Sequence, residues 1–259
     1  MNLQHVISQM TWSYSRIRCF EDCPYKFFLT YIKCCPEEER FFASYGSFIH
    51  AILAHYLNGE IRKEDLAQYY LTHFSDEVAG RPPSQKVFYN YFNDGYKYLS
   101  RCNMSTKDIL SVEEPVDFKI NDRNFVGFID YVRMDEWTCE MVIGDHKSRA
   151  LKPRSCRSKP TAGDKELDKY FEQLYLYCKP IKETYGFFPI SLEFNCFRTG
   201  LVLSEDFDES KYESVIERFG SKPAIIEANE DWNPSLDFFK CRYLCGKSGS
   251  CEYCQTNEG

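Results

Sequence analysis

The stretch GFIDYVRMDEWTCEMVIGDHKSR, Gly127 to Arg149, reads as two short strands joined by a turn. Asp130 follows the apolar run Val126–Ile129, and Asp145 follows Met141–Ile143. Lys147 stands two residues past Asp145, so on a regular strand both side chains point to one face. Adjacent antiparallel strands can bring two strand-end carboxylates together, and hard oxygen donors of this kind hold Mg²⁺. A divalent cation neutralises a phosphate and makes a water nucleophilic. Asp130 and Asp145 are therefore candidate ligands, with the peptide carbonyl of His146 as a further one. Lys147 is a candidate to position or deprotonate the attacking water. The plainer reading is that Asp-x-Lys is a common tripeptide at a solvated strand end.

Outward from this stretch, EEPVDFKI supplies a strand before it, with turn residues at Asn121–Asp122 and Asp135–Glu136, and the three strands form a meander. Upstream the pattern is helical. Ser13 or Ser15 caps a first helix. Pro24 suits the first turn of PYKFFLTYIK. GSFIHAILAHYLNG, Gly46 to Gly59, carries Ile49, Ile52, Leu53, Tyr56 and Leu57 at helical spacing. Residues 62–101 are mostly helical, broken at GRPPS. Downstream come a polar loop from Ser148 to about Gly163, a helix from about Lys165 to Tyr185, a strand over ISLEFNCFRT and a helix over roughly 208–229. Helices, a small sheet and helices again predict an α/β or α+β domain with mixed strands. No repeat or low-complexity linker divides the chain. One domain over 1–259 is expected, with a helical part at about 11–105, a core at about 110–205 and a helix with a cysteine tail at about 208–259.

The net charge of −7 excludes a wholesale basic wrapper of nucleic acid but not a local basic groove. Such a reversal exists. KSRALKPRSCRSKP, Lys147 to Pro160, holds six Lys or Arg and no acid. Arg149, Lys152, Arg154, Arg157 and Lys159 can track a phosphodiester backbone without reading bases, although a solvated loop has the same composition. No apolar run approaches the roughly 18 residues of a membrane span. The N-terminus lacks a signal-peptide pattern, so a cytoplasmic protein of a bacterial or phage-infected cell is expected.

Of thirteen cysteines, Cys241, Cys245, Cys251 and Cys254 fall in the last 19 residues. Without a secretion signal, thiolates clustered at C-x3-C-x5-C-x2-C suit zinc or an iron–sulfur cluster better than a disulfide scaffold.

VGFIDYV…VIGDHKSR resembles the core of the PD-(D/E)XK nuclease superfamily, in the branch of RecB-type and CRISPR-associated RecB-like exonucleases. SYSRIRCFEDCPYKFFLTYI is similar to that branch's N-terminal motif, YGSFIHAIL to its Gly-x-x-x-His helix, and EQLYLYCKPIKETYG to its Gln-x-x-x-Tyr helix. The cysteine tail is similar to that of its iron–sulfur members. The blocks occur in the family's order from residue 11 to residue 254, and the size resembles stand-alone phage-type nucleases.

The resemblance implies a restriction-endonuclease-like core and a Mg²⁺- or Mn²⁺-dependent deoxyribonuclease. It implies His50 on the metal, a glutamate on the strand before Asp130, and Gln173 and Tyr177 beside Lys147 or the substrate phosphate. Glu113 and Glu114 both fit the glutamate position; alternation puts them on opposite faces, and Glu114 is favoured. It further implies a 4Fe–4S cluster held by Cys23 with Cys241, Cys245 and Cys251 or Cys254. The tail departs from the family in its first gap and its fourth cysteine, which keeps Zn²⁺ open. The expected function is an exonuclease on single-stranded DNA or duplex ends, in recombination, repair or phage DNA processing. The rivals are an inactive DNA-binding member of the fold and a zinc-tailed interaction module.

Overall fold

The structure, a computed structural model, describes residues 3–255. A mixed five-stranded sheet in the order β1-β2-β3-β4-β5 forms its centre. The strands are β1 (Ile109–Ile120), β2 (Arg123–Met134), β3 (Met141–Lys147), β4 (Ser191–Cys196) and β5 (Leu201–Asp206). The first three pair antiparallel as the meander predicts. β3 and β4 are parallel, and α7 (Ala162–Tyr185) is their crossover. β5 returns antiparallel and lies outside the expected elements, since its LVLSED pattern buries only Leu203.

One face of the sheet carries α4 (Phe41–Leu57), α5 (Leu66–Glu77) and α6 (Gln85–Ser100), packed with Tyr131 and Phe197 into one apolar cluster. The other face carries α7, α8 (Glu209–Glu227) and the short N-terminal helices α1 (Leu3–Ser8), α2 (Tyr14–Asp22) and α3 (Pro24–Phe27). Caps set several of these boundaries. Ser13 Oγ accepts the Arg16 N–H at 3.1 Å, which selects Ser13 over Ser15 as the cap of α2. Thr161 and Asp164 form a capping box, which starts α7 earlier than apolar periodicity suggests. α4 begins five residues before Gly46, because Phe41 and Tyr45 are themselves core residues. Among the described residues, no helix is long and apolar enough to cross a membrane.

The β1–β2 ribbon changes its buried face midway. Val112 and Tyr131 pack into the α4–α6 cluster, whereas Val116 and Ile129 pack into the opposite one. Residues two apart on a regular strand share a face, so the ribbon must twist between them. It does so where Glu113 takes a left-handed φ of 52°, a conformation that costs about 1–2 kcal/mol for a residue with a Cβ.

Candidate active site

The twist places Glu113 and Asp130 at the mouth of a cleft against α4. His50 enters from that helix, whose apolar stripe (Ile49, Ile52, Leu53, Tyr56) is buried and fixes its rotation. Beside His50, Ala43, Gly46, Ser47, Ala51 and Ala54 leave an open cleft of about 680 Å³ with Glu113 and Ser148 on its walls. One ligand atom from each of His50, Glu113 and Asp130 lies within 4.8 Å of the other two. His50 Nδ1 is 3.2 Å from Asp130 Oδ2.

The β2–β3 ladder ends at Tyr131↔Gly144, one step short of Asp130 and Asp145. Beyond it the Asp130 carboxylate stands in for a strand partner, with Oδ2 accepting the His146 N–H at 2.6 Å. The ladder can close that far because residue 144 is glycine: a Cβ there would lie 2.0 Å from the Tyr131 ring. Asp145 is buried and doubly held. Its Oδ2 is 2.6 Å from Lys147 Nζ, and its Oδ1 accepts from Gln173 Nε2 at 2.9 Å. Lys147 Nζ also donates to Gln173 Oε1 at 3.0 Å, closing a triangle across β3 and α7. Tyr177, one turn on, hydrogen-bonds Gln173 and the Phe128 backbone and lies against Gly127, where a Cβ would meet its ring at 2.5 Å.

The electrostatics suit a cation. Burial, and then the charge of Asp145, push the Asp130 carboxyl up to about 8. Burial and the same aspartate also raise Glu113. Carboxyls that resist ionisation together accept it beside a divalent ion. Burial lowers His50, which keeps its imidazole neutral and able to ligate.

The placement differs from expectation at two points. Glu113, not the favoured Glu114, joins His50 and Asp130; Glu114 lies past the twist, where its charge acts on Tyr185 of α7. Strict alternation could not foresee this, because the left-handed backbone at Glu113 breaks it. Asp145 lies outside the convergent trio: its Oδ1 accepts from Gln173, while its buried Oδ2, 2.6 Å from Lys147 Nζ, makes no hydrogen bond. At His146 it is the peptide group, as expected, that meets the trio, with its N–H on Asp130, while the ring lies 3.0 Å from Asn195 and edge-on to His50.

The basic loop after β3 is less free than its composition suggests. Arg149 pairs with Glu166 at 2.6 Å, and Arg154 with Asp168 and Glu205 at 2.6 and 2.7 Å. Lys152, Arg157 and Lys159 are exposed.

The second cluster of chemistry is sulfur. Cys23, Cys241, Cys245, Cys251 and Cys254 line one small cavity of about 20 Å³. All five thiols are free. Cys23 Sγ accepts the backbone N–H groups of Lys26 and Ser235, each at 3.4 Å. The tail is fastened to residues 23–40 around the cavity. Tyr25 donates to Glu252 at 2.9 Å, Lys247 to the Cys35 carbonyl at 2.8 Å, and Arg40 to the Cys245 carbonyl at 2.9 Å. Burial raises the Cys245 and Cys254 thiols, and Cys251 and Cys241 raise Cys254 further. The thiols share the cavity, but the convergent group within 4.8 Å among the described residues is His50, Glu113 and Asp130 and not these sulfurs.

A family model described as the PD-(D/E)XK nuclease superfamily matches residues 11–257. A solved structure from Eubacterium rectale, described as a "Putative exonuclease", is similar at 10% identity and a TM-score of 0.55, covering 99% of this chain and 91% of that one. Another, named SSO0001, is similar at 14% identity over 55% of this chain and 59% of that one, with a TM-score of 0.29. No curated protein matches the chain.

Proposed function

The chain belongs to the PD-(D/E)XK nuclease superfamily, and from that membership we propose that it hydrolyses DNA phosphodiester bonds with Mg²⁺ or Mn²⁺, as an exonuclease on single strands or duplex ends. The family makes nucleic acid the substrate class, and the five-stranded mixed sheet flanked by helices is its restriction-endonuclease-like core. The convergence of His50, Glu113 and Asp130 within 4.8 Å, open to a cleft, carries the reading. These three residues would hold the cation, with the His146 peptide carbonyl at hand. When bound, the ion supplies charge neutralisation on the phosphate and a more acidic water.

The remaining roles fall to the chain's own groups. The Lys147 ammonium, fixed by Asp145 and Gln173, orients the attacking water and offsets charge on the phosphate. Gln173 holds Asp145 and Lys147 in one geometry, and Tyr177 holds Gln173. Lys152, Arg157 and Lys159 meet the backbone of the DNA, while Arg149 and Arg154 must exchange their acidic partners to do so. Cys23 and the tail cysteines hold a 4Fe–4S cluster or Zn²⁺ in a structural role, supported by their common cavity.

End-labelled and internally labelled DNA, incubated with Mg²⁺ or Mn²⁺ and with EDTA, tests the reading. Stepwise release of nucleotides that EDTA abolishes is expected. An absence of cleavage with either metal overturns it.

A further inference from the structure

A second cleft, about 710 Å³, opens beside the cysteine cavity. Phe238, Tyr243 and Tyr253 line it together with Arg81 and Arg242. Phe238 keeps 69% of its surface exposed. The Arg242 guanidinium lies 5.7 Å from the Phe238 ring and 5.9 Å from that of Tyr243, so rings and charge form one surface. Both acids of the cleft are engaged locally. Glu38 pairs with Arg40, and Asp237 accepts the Lys240 N–H at 2.7 Å. What the cleft offers is therefore aromatic faces and guanidinium groups, the chemistry that holds unpaired bases and their phosphates.

The cleft adjoins the candidate active site through α4. Arg40, the N-cap of α4, borders it, and Phe42 of the same helix lines the cation cleft. The Phe42 ring meets Phe239, the neighbour of Phe238 of the second cleft, with centroids 6.1 Å apart. Arg40 and His50 are ten residues apart, about 15 Å along a helix. That distance is about four nucleotides at a stacked spacing of about 3.4 Å.

We propose that this cleft binds an unpaired stretch of the DNA strand, about four nucleotides from the phosphate held at His50, Glu113 and Asp130. The inference rests on the nuclease reading above. Stacking in the cleft makes grip depend on an unpaired strand long enough to reach it.

The test compares the full chain with a Phe238→Ala/Tyr243→Ala variant and, outside the tail, an Arg81→Glu variant. Fluorescence anisotropy in EDTA reads binding of labelled oligothymidylates. The double variant should bind a 12-mer at least about 30-fold more weakly, from stacking losses on two rings. A dimer, too short to span the clefts, should bind all three proteins alike. Arg81→Glu should lower the salt dependence by about 0.7 in log–log slope. Hydrolysis of bis(p-nitrophenyl) phosphate with Mn²⁺, which needs no strand, should be unchanged in every variant. If 12-mer affinity is unchanged in both variants while aryl hydrolysis persists, the cleft is not a strand site and the nuclease reading stands. If the unaltered chain hydrolyses neither the aryl phosphodiester nor DNA, the nuclease reading falls and takes this inference with it.

Discussion

Asp130 accepts the backbone N–H of His146 at 2.6 Å, so one side chain serves both the sheet and the cation site. The two duties separate by substitution. Asp130→Asn keeps an acceptor for the N–H and removes the charge. It should stay folded, lose Mn²⁺ binding by isothermal titration and lose cleavage. Asp130→Ala also strands the N–H and should cost about 1–3 kcal/mol more in urea unfolding. Equal stability of the two variants would show that the bond contributes nothing.

Lys147 contacts Asp145 and Gln173 but none of the convergent trio's oxygens, so its loss should spare cation binding. Lys147→Ala should leave the Mn²⁺ affinity within a few-fold and lower kcat by about 10²- to 10⁴-fold. Gln173→Leu should give a smaller loss, because Asp145 and Lys147 still pair without it. A Lys147→Ala protein that no longer binds Mn²⁺ would place the lysine among the groups that build the site.

The Asp130 carboxyl, pushed up from its ordinary 3.8 to about 8 by burial and by Asp145, fixes the sign of a pH effect. Between those values the unfolded chain is ionised and the folded one protonated. Without a cation, this residue therefore makes the fold less stable as pH rises from about 4 to about 8, with no further loss above. A bound cation favours the ionised form, so the increase in Tm given by saturating Mn²⁺ should grow across the same window. Melting curves with and without Mn²⁺ at pH 5, 6, 7 and 8 check this, and an increment that shrinks with pH contradicts it.

Five thiols line the cysteine cavity, and tetrahedral zinc or a 4Fe–4S cluster takes four. Single Cys→Ser variants at 23, 241, 245, 251 and 254 should divide four to one. Four should lose bound iron or zinc, measured by elemental analysis, and melt at lower temperature. The remaining one should keep both. A full metal content in all five would remove the cavity from consideration as a metal site.

In the basic loop, Arg149 and Arg154 are engaged with acids, while Lys152, Arg157 and Lys159 are exposed. Replacing the latter three by alanine should lower the log–log salt slope for single-stranded DNA by about 0.7 for each side chain that meets a phosphate. Replacing Arg149 and Arg154 should change the slope less and the stability more. The reverse order would mean that the ion pairs open when DNA binds.

The meander is legible in the sequence because its three apolar runs are short and bounded by turn residues. Asp145 and Lys147 are legible because two-residue spacing on a strand has one meaning. What escapes depends on backbone or on distance. Glu113 cannot be told from Glu114, since the choice turns on one left-handed residue. β5 is hidden because a strand with a single buried side chain carries no alternation to read. Arg149 and Arg154 read as free because their partners stand outside the loop, Glu166 and Asp168 on α7 and Glu205 on β5. The trio of His50, Glu113 and Asp130 joins three separate elements, and no local pattern encodes their meeting.

The face change at Glu113 gives the site a mechanical character. The helix that carries His50 is seated in one apolar cluster, and Asp130 stands between Tyr131 of that cluster and Ile129 of the other. The ligand spacing therefore records how the two halves of the protein sit against each other, much as a gap gauge straddling a joint records its slip.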